Sequence, residues 1–105
     1  MVKKLAFPDP DLVRLLCGEQ NAHLQALKNK IGLSANVRGT EVILEGGDWE
    51  VELAENILNQ LYDLIHQDYP IYRNDVEYAI RILSSDQSAS LKKIFMDRVY
   101  VGSGK

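Results

Sequence analysis

Between Asp48 and Ile65 the chain places Val51, Ala54, Ile57, Leu58, Leu61, Leu64 and Ile65 in one continuous apolar stripe at helical spacing. A stripe of this length has to be covered, so the rest of the chain must supply a broad apolar surface against it. Asp48, directly after Gly46 and Gly47, reads as the cap that starts this helix, and Pro70 as the residue that ends it.

The candidate surface lies upstream. Val2 to Phe7 (VKKLAF) reads as a brief strand stopped by the prolines of PDPD. Leu33, Ala35 and Val37 alternate with Ser34, Asn36 and Arg38, the pattern of a strand with one buried face. EVILE, Glu41 to Glu45, is apolar enough for a more central strand, and Gly39 marks the hairpin turn between the two. Two short helices fit between the first strand and this hairpin. Asp9 caps the first, Pro10 occupies its first turn, and Leu12, Val13, Leu15 and Leu16 form its apolar face up to Gly18. Asn21 reads as the cap of the second, in which Leu24, Leu27 and Ile31 point inward until Gly32 supplies a left-handed C-terminus. After Pro70, a helix starting at Asn74 or Asp75 turns Val76, Ala79, Ile80 and Leu83 inward. SSDQSAS is a polar turn, and Leu91 to Lys105 reads as a helical turn followed by a strand, RVYVG.

The expected fold is therefore α+β: a three-stranded antiparallel sheet with three helices on one face, plus a C-terminal helical extension. The boundary is expected near residue 70, with residues 1–69 as the domain and 70–105 as an extension or linker. At 105 residues the chain has room for a single core. With 46% apolar and 26% charged residues it should fold rather than remain disordered. A formal net charge of -3 argues against a domain that relies on nonspecific attraction to phosphates, so any nucleic-acid contact has to be local. One cysteine, Cys17, excludes an internal disulfide and is too few for a thiolate zinc site, which suits a reducing compartment. No apolar run approaches the roughly 18 residues that span a bilayer, and MVKKLAF lacks the apolar core of a signal peptide, so a cytoplasmic, membrane-free protein is expected.

Two short helices joined by a glycine-led tetrapeptide, then a hairpin and a long helix, resemble the type I KH module. In that family the joining loop is GxxG, whose bare backbone approaches a stretch of single-stranded RNA or DNA. Here the loop is Gly18, Glu19, Gln20 and Asn21. Asn21 stands in the place of the second glycine, which it can fill because asparagine tolerates left-handed geometry. Glu19 puts a carboxylate where KH loops often carry a lysine or arginine. In the groove that such a loop borders, Lys28, Lys30 and Arg38 are candidates for phosphates and Asn36 for a base edge.

More specifically, LLCGEQNAHLQALKNKIGLSANVRGTEVILEG and the DWEVELAENILNQLYDLI helix resemble the N-terminal KH-like domain of PhoH-like proteins, a family of P-loop ATPases. The resemblance implies an RNA-linked module whose longer chain binds ATP and Mg in a domain absent from these residues. It implies as partners single-stranded RNA, the ATPase domain of the same chain, and other copies in a homo-oligomer. Processes in keeping with it are RNA processing and the phosphate-starvation response.

These residues themselves carry no catalytic constellation. VYVGSGK ends in Gly104 and Lys105 but has Val99 where a Walker A loop needs its first glycine, and no Ser or Thr follows the lysine. His23, read on an exposed helical face, and His66 have no acid or cysteine at metal-ligand spacing. Glu50, Glu52 and Glu55 read as a solvated helix face, and Cys17 as a small buried hydrophobe. No metal and no cofactor is expected in this stretch. The competing reading is a protein-interaction or oligomer-organising module that keeps the KH scaffold without binding RNA.

Overall fold

The structure is a computed structural model that describes residues 1–96. Strand β1 (Val2–Ala6) leads through Phe7 to helix α1 (Pro10–Cys17), a 3-10 turn (Glu19–Asn21) and helix α2 (Ala22–Ile31). Strands β2 (Ser34–Arg38) and β3 (Glu41–Glu45) form a hairpin, followed by helices α3 (Asp48–His66) and α4 (Arg73–Ser85). Residues 91–96 are helical, as expected of a helical turn from Leu91, whereas the strand expected at RVYVG lies outside the described residues.

The sheet is three-stranded and antiparallel in the order β1-β3-β2, so EVILE is the central strand. Leu5 and Val37 both pair with Val42, and Lys3 and Ala35 both pair with Leu44. Adjacent partners share a face, and Leu5, Val42, Leu44 and Ala35 are buried on this one. Lys3, at its rim, reaches Glu55 of α3 at 3.4 Å. The other face carries Lys4, Ile43 and Asn36 in one row and Ala6, Glu41 and Arg38 in the next. Gly39, at φ 63°, makes the expected hairpin turn.

The stripe on α3 is buried throughout, from Val51 to Ile65. It packs on α1 and the sheet, while α4 lies against α2 and α3 and buries Val76, Ala79, Ile80 and Leu83. Two side chains of α3 then hold the segment that follows α4. Asn56 Nδ2 donates to the Gln87 carbonyl at 2.9 Å, and Gln60 donates to the Ala89 carbonyl at 3.1 Å while accepting from Leu91 N at 2.7 Å. Leu91 and Phe95 are fully buried, with the Phe95 ring 5.9 Å from Tyr69 and 5.8 Å from Tyr78. No helix among the described residues is long and apolar enough to cross a membrane.

Several helix ends differ from the sequence reading. Asp9 caps α1 as expected, accepting from Asp11 N and Leu12 N. Asn21 makes no side-chain cap to α2, because at φ 58° its own backbone is left-handed. Asp48 is already the first helical residue of α3, with Gly47 at the cap position. The helix ends at His66 rather than at Pro70. Asp68, at φ 65°, turns the chain back, so that Tyr69 N bonds to Leu64 O and Asp68 N to Ile65 O, a Schellman closure that needs no proline. Helix α4 starts at Arg73, before Asn74, since Asp75 accepts from the Tyr72 backbone N–H at 2.9 Å and fixes the entry one residue earlier. It also takes in Ser84 and Ser85, which leaves a shorter polar turn.

Candidate nucleic-acid interface

Gly18 sits at φ 81°, ψ 170°, a conformation essentially reserved for glycine. A side chain could not fit there in any case. A Cβ on Gly18 would lie 2.8 Å from two carbons of the His23 ring. His23 is 6% exposed, not on an open helix face as its sequence position suggested, and its Nδ1 lies 3.0 Å from the Leu16 carbonyl. That carbonyl belongs to the last turn of α1, where acceptors lack a partner inside the helix. The imidazole thus closes the end of α1, and the missing side chain at Gly18 makes the space for it.

Beyond Gly18 the loop continues through Gln20 at φ 54° and Asn21 at φ 58°, both left-handed. Asn21 thus adopts the left-handed geometry that its place at the end of the loop was expected to need. Gly18 and Asn21 line a groove of about 330 Å³ between α1 and the β2-β3 turn. Its α1 wall is Pro10, Val13, Arg14 and Cys17, and its opposite wall is Val37, Gly39 and Thr40. Cys17 is buried there, and its desolvation pushes the thiol from its ordinary 9.0 up to about 11, so it stays a protonated, weakly polar part of the floor at neutral pH.

The residues singled out from the sequence separate on the structure. Gly18 and Asn21 line the groove, whereas Glu19 lines a neighbouring depression on the far side of Gly18. Gln20 is exposed at the tip of the loop and lines neither. Lys28 is half-buried toward the end of α2, its carbonyl taken by Gly32 N. Asn36 and Arg38 are exposed on the open face of β2, where Asn36 Nδ2 donates to Ser34 Oγ at 3.3 Å, and neither lines the groove. Sequence reasoning missed Arg14, the one cation of the groove lining among the described residues. Its signal was present: Pro10, Val13, Arg14 and Cys17 recur at helical spacing on α1, adjacent to the core stripe. Leu15, assigned to that stripe, is instead 57% exposed because Val13, Leu16 and Cys17 take the buried face.

Element order, sheet order and the glycine-led turn define the class: an α+β domain of KH-like fold. The chain is similar to PhoH-like proteins. Over 99 residues, 94% of this chain and 30% of the relative, it is 26% identical to the PhoH-like protein of Bacillus subtilis (strain 168). Over 96 residues, 91% of this chain and 28% of the relative, it is 26% identical to the PhoH-like protein of Mycobacterium leprae (strain TN). The chain thus spans about 30% of the length of these curated relatives. No family model and no solved structure matches it.

Proposed function

We propose that this chain is a KH-like module that binds single-stranded RNA within a PhoH-like ATP-binding protein of the cytoplasm, in RNA processing or in the response to phosphate starvation. ATP and Mg belong, on this reading, to a P-loop ATPase domain in the remainder of such a protein, and these residues supply no catalysis. The observation that carries the reading is the groove itself. A glycine backbone and a left-handed asparagine form one end, the apolar Val13 and Val37 on facing walls suit the faces of a base, and Arg14 stands exposed beside them.

A second reading, an interaction or oligomer-organising module, draws on Glu19 in the loop and on the net charge of -3. Fluorescence anisotropy with labelled single-stranded RNA at low and moderate salt divides the two. The RNA reading expects binding that weakens as salt rises. It further expects Glu19→Lys to tighten binding and steepen the salt dependence, because a cation replaces a carboxylate beside the strand. A folded protein that binds no RNA at low salt would hand the domain to the interaction reading.

A further inference from the structure

Helix α1 has depressions on both sides of Arg14 and Gly18, and only one of them is the groove. The second, about 480 Å³, is lined by Leu15, Glu19, Ile71, Tyr72 and Arg73 together with those two shared residues. Tyr72 is 67% exposed, unusual for so large an aromatic side chain. Its backbone is nonetheless pinned, since its N–H donates to Asp75 and its carbonyl accepts from Asp75 N and Val76 N. An exposed ring on a fixed backbone presents a stacking face at little entropic cost.

The cations beside it are held loosely. Arg14 lies 3.4 Å from Asp11, with both side chains more than three-quarters exposed, and Arg73 lies 3.4 Å from Glu77. Ion pairs this open to water exchange readily for a phosphate. Within the depression Glu19 faces two cations, Arg14 and Arg73, whereas past Tyr72 the charged residues lining the next hollow are the acids Asp68 and Asp75.

We propose that the depression between α1 and the start of α4 is a second nucleotide subsite: a strand leaving the groove passes its phosphate over Arg14 and stacks its next base on Tyr72. The proposal rests on the RNA-binding reading of the groove and extends it to a segment outside the KH-like core. Asp68 and Asp75 repel the following phosphate, so the footprint ends at that base.

The test measures anisotropy of the full 105-residue chain with labelled single-stranded RNAs of four and eight nucleotides. The parent should bind the longer RNA about tenfold more tightly, the order expected for one stacked base. Tyr72→Ala should remove most of that difference and leave four-nucleotide binding unchanged, while Tyr72→Phe, which keeps the ring, should retain it. Arg14→Gln should weaken both and lower the salt slope by about 0.7, one phosphate contact on a single strand. If Tyr72→Ala binds the longer RNA as the parent does, the subsite is overturned and the groove stands. If the parent binds neither RNA, groove and subsite fall together. A concentration-dependent dimer that Tyr72→Ala dissolves without changing RNA affinity would make the patch a protein contact and overturn the subsite as well.

Discussion

At the residue scale, the glycine between the two short helices answers to two constraints at once. Its backbone occupies a region closed to side chains, and its missing Cβ leaves room for the imidazole that closes α1. Gly32 shares only the first constraint in milder form, with φ 87° and nothing within 4 Å of a Cβ. Gly18→Ala should therefore cost about 2 to 4 kcal/mol and Gly32→Ala about 1, measured by urea denaturation. Equal costs would mean that His23 yields its place freely. Cys17, next to Gly18, gives a pH signature. Its folded pKa lies above its unfolded one, so the stability it contributes is complete below about pH 9 and is lost as pH rises from 9.0 toward 11. Urea midpoints should fall across that window, and Cys17→Ala should flatten the fall. The same burial predicts slow alkylation of the native thiol at pH 8 and rapid alkylation in urea.

At the scale of elements, α3 is the post on which the rest is assembled. Its apolar face meets the sheet and α1, and its Asn56 and Gln60 side chains hold the segment after α4. Leu61 is fully buried in the middle of that stripe, so Leu61→Ala should cost about 2 to 5 kcal/mol. Lys28→Ala, half-buried on α2, should change stability by no more than about 0.5 kcal/mol. Thermal melts that ranked the two variants in reverse would contradict the packing. The stripe itself was legible in the sequence because its period is helical and unbroken. The caps of α2 and α3 were not. Asparagine and aspartate favour both caps and left-handed or first-turn positions, and only the path of the neighbouring chain selects among these.

For the whole molecule, the core runs without interruption from Leu5 on β1 to Phe95. Residues of α4 and of the 91–96 helix share it with the sheet, so the chain should melt in one transition when followed by backbone circular dichroism and by Tyr and Trp fluorescence together. Phe95→Ala should lower the stability reported by both signals by the same amount, about 3 to 5 kcal/mol. Two separated transitions would show that the part after residue 70 folds as an independent appendage.

By itself the sequence determined the elements among the described residues and, Leu15 apart, their inward faces, since a period of two or of 3.6 residues records which side of each element must leave water. It also marked the hairpin at Gly39 and the helix end at Gly32, both positive-φ sites where glycine is favoured. Only the tertiary structure decided which polar residues meet. His23 occupies a helix position that the sequence places on an exposed face, yet it is buried because α1 ends directly above it. The spacing on α1 puts Arg14 on one face with Pro10, Val13 and Cys17, yet that it stands between two hollows follows only because the hairpin turn and the start of α4 come to lie on opposite sides of α1. Such meetings join residues distant in the chain, and a period along one element carries no record of what is packed beside it.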